Sequence, residues 1–297
     1  MHWRSHVAGI TFSCVFVVTH FTNKFVLSVL KFTYPTLFQG WQTLMGAVLL
    51  LLAGKLGWVE MRHISRSAAL SWLPGSFLFV GNIYAGSRAL SHIDIPFYFT
   101  MQNSSFVVSY MMIRILHRDR TSWLKSISVL LMLLSAINLP LFDPQFDYSA
   151  YLWAFCHLFC VGAYRVFHVQ HKASNLSDIE QQCINYLLSV LLLGLAAHPT
   201  GDLTGAWEFT SLNSFTFQSG CCISAVLGFL LLLVTVRLKH GLSLEHVRVW
   251  GFLSKVSAMA LSPFMFNTNI NTKTLLCVII SHLGEALLIY SDRDPQL

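Results

Sequence analysis

The residue with the most chemical potential in this sequence is a lysine inside an apolar run. Lys255 lies well within Val247-Arg248-Val249-Trp250-Gly251-Phe252-Leu253-Ser254-Lys255-Val256-Ser257-Ala258. At helical spacing its neighbours on the same face are Gly251, Ala258 and Ser262, all small. An ammonium bordered by small side chains offers a pocket to an anion, and an ionisable group inside a membrane span is functional by default. The structural alternative is a buried ion pair with Glu285.

Three further groups could bind a polar ligand. Asn185-Tyr186, with Ser189 one turn on, joins an amide to an aromatic ring. An amide makes two directed hydrogen bonds to a nucleobase edge and a ring stacks on it, though the same residues also serve as interhelical glue. Tyr98, Gln102, Ser105 and Ser109 fall at i, i+4, i+7 and i+11, a polar stripe with Asn103 beside it. That stripe reads as a cavity wall or as helix–helix hydrogen bonding. Asn23 and Lys24 follow His20, which shares a face with Lys24. Lys24 either snorkels to the membrane interface or contributes to a site.

The elements that must position these groups follow from composition. Of 297 residues, 55% are hydrophobic and 11% charged, against about 25% charged in a soluble domain. That excludes an ordinary soluble enzyme, a disordered chain and a disulfide scaffold. The apolar runs are continuous, which excludes a β-barrel. The seven cysteines all lie in apolar stretches without a C-x-x-C, so neither disulfides nor a zinc site is expected. The 13 histidines are scattered, and H-E-x-x-H and G-x-S-x-G do not occur. Asp94, Asp143, Asp147, Asp202 and Glu208 are dispersed, which speaks against an enzyme with clustered carboxylates. No cofactor or metal is expected.

Ten windows of about 20 apolar residues are predicted to span: 7–28, 35–54, 68–88, 95–116, 123–142, 148–169, 181–198, 218–237, 247–266 and 274–291. The first is read as an uncleaved span, since hydrophobicity resumes through Phe25-Val26-Leu27. The start of the eighth is blurred by Phe215, Phe217 and Cys221. Of the 19 Lys and Arg, Lys24 and Lys255 fall within windows, and Lys31, Arg88 and Lys273 lie on one side. The other fourteen, Arg118, Arg120, Arg165 and Lys172 among them, lie on the opposite side, which predicts cytosolic termini. This spread accounts for the net charge of +6 without nucleic acid as a partner. The sequon Asn103-Ser104-Ser105 sits at membrane depth and Asn175-Leu176-Ser177 on the cytosolic side, so neither is expected to be glycosylated. The expected fold class is an all-α polytopic membrane protein of ten transmembrane helices in two inverted five-helix repeats, residues 1–145 and 146–297. The repeat rests on span count alone.

Several of these residues resemble a known family. Asn23-Lys24-Phe25-Val26-Leu27, Pro96-x-Tyr98 with Asn103, and Gly251-Phe252-Leu253-Ser254-Lys255 look like nucleotide-sugar transporters of the drug/metabolite transporter superfamily, in the GDP-mannose-transporter-like branch. The pattern of that branch near Lys255 is Gly-Ala-Leu-Asn-Lys, so Phe252 and Ser254 depart from it. Its Phe-Tyr-Asn-Asn becomes Cys183-Ile184-Asn185-Tyr186, and a family lysine corresponds to Gln102. Asn23 to Gln42 and His198 to Leu203 are similar to a vertebrate Golgi member of the family. The resemblance implies antiport of a cytosolic nucleotide sugar against lumenal nucleoside monophosphate in the Golgi membrane. It implies that Lys255, with Ser254 beside it, binds the diphosphate. Asn185 with Tyr186 and Ser189 would read the base, and Tyr98, Gln102, Asn103, Asn23 and Lys24 would line the rest. The lost second asparagine weakens GDP-mannose, and the closer likeness implies a UDP-sugar, UDP-N-acetylglucosamine favoured, with UMP returning. The expected partners are these nucleotides, the lipid bilayer and a second copy of the chain as a candidate homodimer. A non-transporting scaffold, a membrane-embedded enzyme and a proton-coupled carrier using Glu285 with His20 or His157 are the alternatives.

Overall fold

A computed structural model describes residues 2–117, 122–171 and 176–293. Arg118, Arg120, Lys172, Asn175 and the tail from Asp294 lie outside the described residues, as does the side chain of Arg4. The described residues are helical throughout, with no strand. The helices are α1 (His2–Lys24), α2 (Pro35–Lys55), α3 (Arg66–His92), α4 (Ile95–Asn103), α5 (Ser105–His117) and α6 (Trp123–Phe142). They continue as α7 (Tyr148–Gln170), α8 (Asp178–Ala196), the short α9 (Asp202–Trp207), α10 (Phe215–Gly241), α11 (Leu244–Met265) and α12 (Thr272–Arg293).

Among the described residues, seven stretches are long and apolar enough to cross a bilayer: Ser5–Val29, α2, α6, α7, α8, α10 and α12. Their surface is that of a protein in lipid. Leu52, Leu134, Phe155, Leu191, Ile223 and Ile279 are exposed, whereas Ser76, Thr100, Ser105, Ser128, Asn185, Ser224, Ser254 and Ser281 are fully buried. Polar groups turn inward because hydrocarbon offers them no hydrogen bond. The chain is a multi-pass membrane protein. The remaining three predicted windows hold helices richer in polar residues: α3 with Arg88, α4 with α5, and α11 with Glu245, Arg248 and Lys255.

Side-chain caps set several helix starts. The Ser65, Ser122 and Ser214 hydroxyls accept from the amides of Ala68, Lys125 and Phe217. Ser177 and Glu180 form a reciprocal capping box at α8. The cap at Ser214 is what starts α10 at Phe215, a boundary that hydropathy alone blurs. Asp202 ties α9 to the first turn of α2, accepting from the Thr36 amide at 3.0 Å and its hydroxyl at 2.6 Å.

Two windows depart from simple helices. The first ends in a π-helical turn, Phe25–Val29, where the Leu30 amide reaches Phe25 O at 2.9 Å. The fourth is broken between Asn103 and Ser105. Three short polar side chains in a row compete with the helix for its own backbone groups. The Ser104 amide bonds to Met101 O in a tighter turn, and its hydroxyl donates to Met132 O across to α6 at 3.1 Å.

Helices meet through small residues where backbones come closest. A Cβ on Gly162 would lie 2.7 Å from Ser105 O, between α7 and α5, and one on Gly284 would lie 2.9 Å from Ser128 O, between α12 and α6. The principal pairings are α3 with α7, α1 with α10, α2 with α8 and α6 with α12. Next come α3 with α8, α2 with α10, α1 with α11, and α5 with α7.

Candidate functional site

The break between α4 and α5 presents Asn103 to α11. There the Lys255 ammonium donates to Asn103 Oδ1 at 2.7 Å and forms an ion pair with Glu285 Oε1 on α12. The Lys255 side chain is 13% exposed and that of Glu285 4%, so both charges sit in the interior. The second Glu285 oxygen, Oε2, is buried without a hydrogen-bond partner, as are His282 Nε2 and Ser262 Oγ. Asn103 in turn donates to Ser281 Oγ at 3.4 Å. Lys255 therefore does not face an empty pocket in this conformation. The ion pair that the sequence left open is formed, because an unpaired ammonium at this depth is more costly than a paired one. Of the small neighbours, Ala258 and Ser262 are fully buried, while a Cβ built on Gly251 would meet nothing within 4 Å.

A second cation joins this cluster. Arg165, which charge counting places at the cytosolic end of its span, lies inside α7. Its guanidinium donates to Ser109 Oγ at 3.3 Å and Ser105 Oγ at 3.4 Å, stacks over Phe106 at 3.9 Å, and interacts electrostatically with Glu285. Lys255 Nζ is 5.9 Å from the same ring. The polar stripe along α4 and α5 thus faces α7 throughout. Above the break, the Tyr98 hydroxyl lies 3.0 Å and Gln102 Nε2 3.3 Å from His157 Nε2, and Tyr98 stacks on the imidazole. His157 Nδ1 is 3.0 Å from Asn82 O, which accepts only. Nδ1 must then carry the proton and Nε2 accepts from both neighbours, so His157 is a neutral junction of α3, α4 and α7.

The other expected residues occupy different places. Asn185 is fully buried and saturated. Its Oδ1 accepts from Trp72 Nε1 at 3.1 Å and Ser76 Oγ at 2.8 Å, and its Nδ2 donates to Tyr164 at 3.1 Å and Gln182 at 3.3 Å. No donor or acceptor is left for a base, so here Asn185 is interhelical glue. Ser189 donates back to Asn185 O at 2.6 Å. Tyr186 does face a cavity of about 300 Å³, shared with Tyr164, Gln182 and Lys239. Asp178 also lines it, 3.1 Å from Lys239 and 3.8 Å from His168. Tyr164 and Gln182 were missed in the sequence. Gln182 stands one turn before Tyr186 on the same face, a spacing that could have drawn attention to it.

Ser254 is turned toward α1, where it shares a 2.8 Å hydrogen bond with Ser13, and it donates to Trp250 O at 2.6 Å. Asn23 Oδ1 accepts from Gln42 at 3.0 Å and Ser224 at 2.6 Å, joining α1, α2 and α10. Lys24 does not snorkel. It is 4% exposed and donates to Leu90 O and Ile93 O, both at 2.8 Å, at the end of α3. Unsatisfied carbonyls at a helix C-terminus are the natural acceptors for a cation. Burial pushes the neighbouring Asp94 carboxyl above its ordinary range, while Lys24 and the Asn269 amide pull it back.

Comparison with known proteins gives a consistent picture. No family model matches the chain. It is 52% identical over 293 residues to the UDP-N-acetylglucosamine transporter TMEM241 homolog of Xenopus laevis, covering 99% of each protein. It is 46% identical over 293 residues to the UDP-N-acetylglucosamine transporter TMEM241 of Mus musculus, again covering 99% of each. A protein crystal structure with 13% identity superposes with a TM-score of 0.62 over 98% of this chain and 99% of that one, a likeness of fold alone.

Proposed function

The chain belongs to the nucleotide-sugar transporters, a transporter family rather than an enzyme family, and from that premise we propose that it exchanges a cytosolic UDP-sugar for lumenal UMP across the Golgi membrane. UDP-N-acetylglucosamine is the favoured sugar nucleotide. The observation that carries this reading is the 52% identity over 99% of both chains to a protein named for that substrate.

Alternating access is the proposed mechanism, on ten spans in two inverted repeats with both termini cytosolic. The helix pairings support it. Leaving out α9 and counting α4 with α5 as one span gives five helices per half. The third helix of each half packs on the first of the other, as α3 on α7 and α10 on α1. The second helices pair as α2 with α8, and the fifth as α6 with α12. The first of each half meets the fourth of the other, as α1 with α11 and α7 with α5. A pattern unchanged when the halves are exchanged is what a two-fold repeat produces, and an odd number of helices per half inverts one against the other.

In this scheme Lys255, with Arg165 and Asn103 around it, receives the phosphates between the halves. A diphosphate cannot cross about 30 Å of hydrocarbon without such a partner. Tyr186, Gln182 and Tyr164 form the base side, with Asn185 holding the last two in place and Ser189 behind it. Tyr98 and Gln102 lie toward the sugar. Asn23, Lys24 and Ser254 hold helices in register beside the path. The cavity at Tyr186 opens beside Lys239, on the side rich in Lys and Arg, as a cytosolic approach would.

The test is reconstitution. Liposomes loaded with UMP are offered a panel of UDP-, GDP- and CMP-sugars. UDP-N-acetylglucosamine should exchange fastest, and failure of every nucleotide sugar to exchange would overturn the reading. GDP-mannose exchanging fastest would move the chain to the other branch of the family.

A further inference from the structure

We propose that Glu285 is a built-in counter-anion that takes the phosphate's place on Lys255 when the carrier is empty, so that substrate-free return is allowed and exchange is not strictly obligatory. This rests on the transport reading above and specifies how its central cation is managed. The starting observation is the pair itself: Lys255 Nζ is held by Glu285 Oε1 and Asn103 Oδ1.

The pair does not look like a permanent structural bridge. A buried carboxylate retained for stability has its remaining lone pairs satisfied. Here Glu285 Oε2 is buried with no donor, and on the same helix His282 Nε2 is buried and unpartnered as well. Only one carboxylate oxygen is engaged, so an incoming phosphate competes against a single contact. Asn103 Oδ1 holds Lys255 through a separate hydrogen bond and keeps the ammonium in place while the anions trade.

Charge arithmetic gives the consequence. Lys255 and Arg165 carry two positive charges and Glu285 one negative, so the empty centre holds a net charge of one positive. A nucleoside monophosphate brings about −1.5 to −2, and the loaded centre swings to roughly one negative charge. The two states are equally far from neutrality, so neither is barred from crossing. Without the carboxylate, the empty centre would hold two uncompensated cations and the loaded centre would be near neutral. Only the loaded carrier would then reorient freely.

The experiment compares two fluxes from UMP-loaded proteoliposomes. One is efflux into buffer without nucleotide, the other efflux into UDP-N-acetylglucosamine. The wild type should show both. Glu285→Gln should lower the ratio of nucleotide-free efflux to exchange by about tenfold or more, the effect of one unbalanced buried charge on a barrier. Glu285→Asp should bring the ratio back toward the wild-type value. An unchanged ratio in Glu285→Gln overturns the proposal. So does strictly obligatory exchange in the wild type, a result that needs no variant to fold. Both outcomes leave the transport reading intact. A wild type that exchanges no nucleotide at all removes the transport reading, and this inference with it.

Discussion

Replacing Lys255 with glutamine separates the pairing that its ammonium makes in this fold from the phosphate binding proposed for it. In the native protein the ammonium neutralises Glu285, whose side chain is 4% exposed and whose Oε2 already lacks a partner. Lys255→Gln leaves that carboxylate charged and unpaired in the interior. Breaking a buried pair from one side costs about 3–5 kcal/mol, several times the value of an exposed pair. At roughly 2–4 °C per kcal/mol for a large domain, the melting temperature in detergent should fall by about 6–20 °C. The double variant Lys255→Gln/Glu285→Gln removes both charges and should recover most of that loss, since two amides can hydrogen-bond where the ions stood. If Lys255 is the phosphate anchor proposed above, transport should not recover with it. The assay is thermal unfolding of all four proteins of the cycle, with UMP exchange measured in parallel. A single variant as stable as the wild type would refute the stability argument. A well-folded double variant exchanging at the wild-type rate would refute the role of Lys255 in binding.

Three further outcomes follow from named contacts. Asn185→Leu orphans the buried Trp72 N–H and Ser76 hydroxyl, at about 1–3 kcal/mol each, so it should lower the melting temperature while leaving the UDP-over-GDP preference unchanged. A changed preference at full stability would return Asn185 to reading the base. Lys24→Met removes two 2.8 Å bonds from an ammonium to the end of α3. At roughly 1.5–3 kcal/mol for a charged hydrogen bond it should destabilise without altering the thermal shift that UMP produces, and an altered shift would place Lys24 at the ligand. Gly162→Ala puts a methyl 2.7 Å from Ser105 O, and α5 must move off α7 beside Arg165. The variant should lose about 1–3 kcal/mol and slow exchange, and unchanged melting would show that the contact yields freely.

The sequence by itself determined the class of molecule. A chain with 11% charged residues cannot solvate a surface, and its apolar windows fell where helices stand. It also singled out Lys255, since a cation inside an apolar run is conspicuous whatever the fold. Glu285 was already a candidate partner for that cation, but that the pair forms, with Asn103 beside it, was decided only by the tertiary structure. Glu285 on α12 and Asn103 at the α4–α5 break reach Lys255 because three helices converge there, and no local spacing encodes that convergence. Arg165 is the sharpest case. Charge counting placed it at the cytosolic end of its span, yet Ser105, Ser109 and Phe106 on α5 draw its guanidinium into the bundle. Asn185 shows the reverse: a side chain suited to a base was already occupied by Trp72, Ser76, Tyr164 and Gln182. Polarity inside a membrane is visible in one dimension because it is costly. Its partner is not, because hydrogen bonds are short and the residues that supply them arrive from helices far apart in the chain.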